Sequence, residues 1–156
     1  MKGKMKKRVI IVMVIIGAFW LYTRIWQGVV SKQYDRYEKS VENIVQEETR
    51  YTLGVHRPVY LGYTGNLYIC ENINFAEVEN SYVDLLIWPG ILKKDEIGVA
   101  ITYQDSEENM VEVDMYLDDR LEPVEKTEEN MELYRKNKEK ILSMIQMAED
   151  IWGDCK

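Results

Sequence analysis

Apolar and polar residues follow four successive patterns along this chain. Residues 9–23 contain no charged residue, and the apolar run resumes after Arg24. From residue 31 to about residue 50 the apolar residues recur at helical spacing, whereas the middle of the chain alternates in period two. A second helical pattern ends the chain. This order predicts an apolar helix, an amphipathic helix, a group of strands and a closing helix.

The middle of the chain predicts an antiparallel sheet of about five strands. Residues 64–66, Thr-Gly-Asn, are typical of a tight hairpin turn, and short polar loops separate the later strands. Pro89 ends one strand at a turn, because proline lacks an N–H group for strand pairing. The loops favour a meander. The predicted strands span residues 59–63, 67–75, 82–88, 97–103 and 111–117.

The last three predicted strands each divide into an apolar face and a mixed face. Their odd-numbered residues are apolar, whereas the even-numbered residues include small, acidic and aromatic types. We expect helices to cover the apolar face and the mixed face to stay available to solvent or to a partner. Candidate contact residues on the mixed face are Asp84, Trp88, Glu112, Asp114 and Tyr116.

The closing helix is predicted over residues 128–152. Thr127 is a good N-cap residue, acidic residues follow it, and Gly153 is an expected C-terminal stop. One face of this helix is apolar. We therefore predict an α+β domain whose antiparallel sheet is packed on one face by the amphipathic helix and the closing helix.

The first 30 residues carry six of the 20 Lys and Arg residues and no acidic residue. No small-residue cleavage site follows the apolar run, and Trp20, Arg24 and Trp26 are typical of a membrane interface. We therefore predict a retained single-pass signal anchor over residues 1–30. Its basic tip is expected in the cytoplasm and residues 31–156 outside the cell. A cleaved signal peptide and a buried core helix are the alternatives.

The predicted extracellular part is strongly acidic. Residues 31–156 contain 14 Lys and Arg residues against all 27 Asp and Glu residues of the chain, a balance of −13. A surface of this sign repels phosphate, so nucleic acid is not an expected partner. Cys70 and Cys155 are the only cysteines, and the sequence leaves open whether they pair.

Motifs of common catalytic and metal sites do not occur in the sequence. His56 is the only histidine, and neither a Gly-x-Ser-x-Gly motif nor a glycine-rich phosphate loop is found. Four neighbouring carboxylates, on Glu112, Asp114, Asp118 and Asp119, would suit glycan chemistry or calcium. Alternating acids on a strand are nevertheless what an exposed antiparallel face predicts. We predict a protein that is not an enzyme and uses no metal, cofactor or small-molecule substrate.

The C-terminal half, together with the N-terminal anchor, resembles the TipC family of immunity proteins. Four blocks in a fixed order carry this resemblance. They are "LLIWPG" at residues 85–90, "EIGVAITYQ" at 96–104, "VEVDMYLDDRLEP" at 111–123 and "KILSMIQMAEDIWG" at 140–153. Residues 31–80 carry no part of the match.

The resemblance implies a membrane-anchored antidote that faces outward. Such proteins protect Gram-positive bacteria against antibacterial LXG-domain toxins of the type VII (Esx) secretion system, and they occlude the toxin's active site with the concave face of the sheet. The implied partner is therefore a cognate secreted toxin domain. An extracytoplasmic sensor or scaffold subunit that binds another membrane or cell-wall protein is the alternative.

Overall fold

The computed structural model describes residues 2–42, 50–58, 65–72, 81–90 and 94–153. The chain divides into two compact units, residues 1–36 and 37–156. The architecture is α+β, as predicted. Its elements are helix α1 (Lys2–Glu42), strands β1 (Tyr51–His56), β2 (Asn66–Glu71), β3 (Ser81–Trp88), β4 (Glu96–Gln104) and β5 (Met110–Leu117), and helix α2 (Glu128–Trp152).

Helix α1 is continuous across the position at which the sequence predicted the end of the anchor. It has 41 residues and is long and apolar enough to cross a membrane, a test that a signal sequence also passes. The Arg24 guanidinium lies over the Trp20 ring, 5.4 Å from its centroid, and the Tyr22 and Trp26 rings stack. The rest of the predicted amphipathic helix, residues 43–49, lies outside the described residues.

The five strands form one antiparallel sheet in the order β1-β2-β3-β4-β5, which confirms the predicted sheet. In all four pairings, even-numbered residues stand opposite even-numbered residues, for example Leu86 opposite Gly98 and Gly98 opposite Tyr116. Because side chains alternate along a strand, the even-numbered residues of all five strands share one face. We call this the open face, and we call the face of the odd-numbered residues the core face.

The first strand differs from the prediction. Helical spacing was expected up to about residue 50 and the first strand at residues 59–63, but β1 already begins at Tyr51. Residues 59–63 lie outside the described residues. Gly54 interrupts the strand pattern because glycine is a poor strand residue. A Cβ atom at Gly54 would lie 2.1 Å from the ring of Tyr68, its partner on β2, so the close approach of this ring requires glycine.

The core face and α2 enclose the hydrophobic core of the second unit. Leu85, Ile101 and Ile141 are fully buried, and the Ser81 hydroxyl bonds the Asn137 side chain across the two layers at 3.2 Å. Thr127 caps α2 as predicted, since its hydroxyl accepts from the Asn130 N–H at 3.1 Å. Gly153 ends the helix with a φ of 95°. Packing of α1 against the sheet stays a prediction.

One buried carboxylate connects the sheet to α2. The Glu71 side chain is fully buried at the end of β2, on the core face. Its two oxygens accept from Arg50 Nη2 at 3.0 Å and from Lys140 Nζ at 2.8 Å. Buried charges persist when they are paired and hydrogen-bonded, so this cluster compensates the burial of Glu71.

Candidate functional site

The open face is acidic. Its even-numbered strand positions carry four carboxylates, on Asp84, Glu96, Glu112 and Asp114, and no lysine or arginine. Helix α2 lies against the core face through residues such as Lys140, which contacts Glu71. On β5 the side chains of Glu112 and Asp114 are exposed. This arrangement leaves a negative surface available to a positively charged partner.

An aromatic pair lies beside these carboxylates. The rings of Trp88 and Tyr116 are 5.4 Å apart at their centroids and tilted by 39°. Gly98 lies beneath Trp88, and a Cβ atom at this position would come within 2.8 Å of the Trp88 ring. Tyr116 is 56% exposed, so the pair offers an amphipathic contact surface.

All five residues that the sequence proposed as partner contacts lie on the open face. Asp84 and Asp114 flank Ala100 in one row across three strands, and Trp88 contacts Tyr116. Glu112 is next to Asp114 on the same face of β5. The structure thus brings the acidic and aromatic candidates onto one surface. Their role in binding stays a prediction.

A half-buried pair of polar side chains lies in the same row. Cys70 is opposite Asp84, and its thiol donates a hydrogen bond to the Asp84 carboxylate. Burial, followed by the neighbouring carboxylate, raises the pKa of Cys70 to about 12. Burial also raises the pKa of Asp84, against the lowering effect of its hydrogen bonds. Among the described residues, Cys70 forms no disulfide, and its raised pKa disfavours the thiolate that a nucleophile needs. Cys155 lies outside the described residues.

The carboxylates of Asp118 and Asp119, in the loop after β5, already have partners within the protein. One oxygen of Asp118 accepts from the N–H groups of Arg120 and Glu122, at 2.8 and 3.0 Å, and these bonds lower its pKa. Asp119 pairs with Lys94 at 3.0 Å. Within the described part of the chain, no group of three or more metal-ligating side chains is found. Asp118 therefore shapes a turn, and Asp119 forms an exposed ion pair.

Sequence reasoning missed the residues that support the aromatic pair. Alternation along β4 identifies Gly98 only as a small residue, and it does not indicate that β1 and β2 contribute to the open face. Tyr68 and Cys70 lie on this face and are half-buried. A glycine between two aliphatic residues inside a strand pattern, as in both β1 and β4, is the available signal for a close approach to the strand.

Comparison with protein families, with curated proteins and with solved structures finds no match to this chain.

Proposed function

We propose that this protein is a membrane-anchored, outward-facing antidote that binds a secreted antibacterial toxin through the open face and occludes the toxin's active site. The observation that carries the proposal is the combination on this face of four carboxylates, no lysine or arginine, and the Trp88–Tyr116 pair. Aromatic anchors beside polar and charged residues are typical of a protein interface. Binding without turnover is all that this mechanism requires.

The charge of the open face supports fast recognition of a basic partner. A negative surface steers a positively charged protein toward it and raises the association rate. The aromatic pair then supplies apolar contact area that loses little conformational entropy on binding, because Trp88 already packs on Gly98. The negative charge would therefore speed association, and the aromatic pair would slow dissociation.

The apolar segment of α1 supports the proposed location. No residue from Val9 to Thr23 is charged, and five cations precede it, which favours an anchor with a cytoplasmic basic tip. An anchor would hold the antidote at high local concentration on the outer membrane surface, where the secreted toxin would act. The resemblance to the TipC family agrees with this location.

A protection assay tests the proposal. Susceptible bacteria export LXG-type toxin domains encoded in the same genome as this chain, with and without the full-length protein or a version lacking residues 1–30. We expect the anchored form to restore growth and the cytoplasmic form to fail. If neither form restores growth against any of these toxins, the antidote proposal is wrong, and the sensor or scaffold alternative moves forward.

A charge reversal tests the binding face. Glu112→Lys reverses an exposed carboxylate on the open face, and Glu139→Lys reverses an exposed carboxylate on α2 as the matched control. We expect Glu112→Lys to weaken toxin binding roughly 10-fold or more and to slow association, while the control binds like the wild type. Equal effects of the two reversals would show that the open face is not the interface.

A further inference from the structure

We propose that the outer edge of β5 binds the partner by adding an extended, basic strand of that partner to the sheet. The inference deepens the proposed function, on which it rests for the identity of the partner as a protein, and it specifies the binding mode. β5 is the last strand of the sheet, and in the described part of the chain its only neighbouring strand is β4.

Two hydrogen bonds fix which main-chain groups of β5 point away from β4. At the hairpin, the Asp105 N–H donates to the Asn109 carbonyl at 2.9 Å, so the odd-numbered residues of β5 exchange hydrogen bonds with β4. At the other end of the strand, the Val124 N–H donates to the Tyr116 carbonyl on the outer edge at 2.9 Å. Because inward and outward main-chain groups alternate along a strand, both bonds indicate that the N–H and C=O groups of Glu112 and Asp114 point outward.

Residues 122–124 cover only the C-terminal end of this edge. The Tyr116 carbonyl accepts from Val124, and the Asp118 N–H donates to the Glu122 carbonyl at 2.8 Å. Among the described residues, none pairs with the outward groups of Glu112 and Asp114. This part of the edge is a template for strand addition.

The side chains along this edge determine which kind of partner strand would bind there. Glu112 and Asp114 project from the open face, whereas Val111 and Val113 on the core face are half-buried; Ile101, the β4 partner of Val113, is fully buried. A strand that alternates basic and apolar residues would neutralise the carboxylates on one side and cover the valines on the other. A second copy of β5 would place like charges opposite one another, which disfavours a homodimer through this edge.

Hydrogen exchange with a defined peptide tests the inference. The probe is the acetylated and amidated peptide Arg-Val-Arg-Val-Arg, and the peptide Glu-Val-Glu-Val-Glu is its control, each added to the full chain in detergent micelles at low salt. We expect exchange of the Glu112 and Asp114 amides to slow about 10-fold when about nine-tenths of the protein is bound. The Val113 amide, which faces β4, should be slow with and without peptide.

A proline substitution separates main-chain pairing from charge. Glu112→Pro removes the outward N–H and leaves the β4 pairing intact, and Glu112→Thr removes the same charge but keeps the N–H. We expect the basic peptide to bind the proline variant at least about 5-fold more weakly than the threonine variant. Unchanged unfolding midpoints for the two variants establish that both are folded.

Three results would overturn the edge inference. They are failure of the basic peptide to bind, equal binding of the acidic peptide, and unchanged exchange at Glu112 and Asp114 when the basic peptide is bound. None of them decides the proposed function, because growth protection is measured with toxin and without peptide. Protection without strand addition would leave the open face as the interface and remove β5 pairing from it.

Discussion

The two faces of the sheet are made of the same strands but follow different rules. The core face contains fully buried aliphatic residues such as Ile69, Leu85 and Ile87, and the carboxylate of Glu71, which is buried on this face, is paired with two cations. On the open face the carboxylates of Glu112 and Asp114 are exposed. Burial without compensation is costly, so the core face admits charge only with its partners in place.

The difference separates residues that maintain the fold from residues that remain available for binding. Alternation along a strand lets neighbouring residues serve the two purposes, because adjacent side chains point to opposite faces. Substitutions at adjacent positions should therefore have unequal effects on stability and on binding. The expected effects are given below from the largest to the smallest.

Leu85 and Leu86 provide the most direct comparison of the two faces. Leu85 is fully buried in the core, whereas Leu86 is half-buried on the open face. We expect Leu85→Ala to lower the free energy of unfolding by about 3.5 kcal/mol, because it leaves a cavity, and Leu86→Ala to lower it by about 1 kcal/mol. Denaturant unfolding of the full chain in micelles measures both values. Equal losses would contradict the assignment of the faces.

Glu71 and Glu112 compare a paired, buried carboxylate with an exposed one. Glu71→Ala leaves Arg50 and Lys140 without their shared partner, so we expect a loss of about 3 kcal/mol in the free energy of unfolding. Glu112→Ala should leave stability unchanged within error. The same denaturation experiment tests this prediction, and a stable Glu71→Ala variant would show that the ion cluster does not hold α2 to the sheet.

Trp88 tests the open face as a binding surface. Trp88→Ala removes the ring that lies on Gly98 and contacts Tyr116, and we expect the affinity for the toxin to fall roughly 30-fold, or about 2 kcal/mol. Calorimetric titration measures the change. Thr102→Ala, at another half-buried position on the same face, is the control. An unchanged affinity for Trp88→Ala would remove the aromatic pair from the interface.

The smallest expected effect is that of the Asp84 carboxyl on stability, and it depends on pH. Its pKa is raised in the folded protein, mainly by burial, so folding favours the protonated carboxyl. The chain should therefore lose stability as pH rises from the ordinary value of 3.8 through the raised pKa. Asp84→Asn removes this loss, so we expect its unfolding midpoint to exceed that of the wild type at neutral pH.

Thermal unfolding at a series of pH values measures the Asp84 effect. The advantage of Asp84→Asn should disappear at the acidic end of the series, where the wild-type carboxyl is protonated in both the folded and unfolded states. Asp114→Asn, at the exposed end of the same row, shows what loss of a carboxylate does away from Cys70. A variant that is less stable than the wild type at neutral pH would show that the hydrogen bonds to Asp84 outweigh its burial.

Much of the fold could be predicted from local patterns. The bounds of α2 and its Thr127 cap follow from helical periodicity and capping chemistry, and the three strands after residue 80 follow from alternation. β1 could not be placed in this way. Gly54 weakens its strand pattern, and the reason for a glycine at this position, the ring of Tyr68, lies on another strand.

The sequence by itself determined the apolar N-terminal helix, the acidic balance and the two-faced character of the later strands. The tertiary structure alone decided that the parity of these strands extends through β1 and β2, that Gly98 lies beneath Trp88, and that Glu71 meets Lys140 across 69 residues of sequence. Periodicity reports only which way a side chain points relative to its own strand or helix. Which side chain it meets depends on register and packing between segments that are distant in the chain.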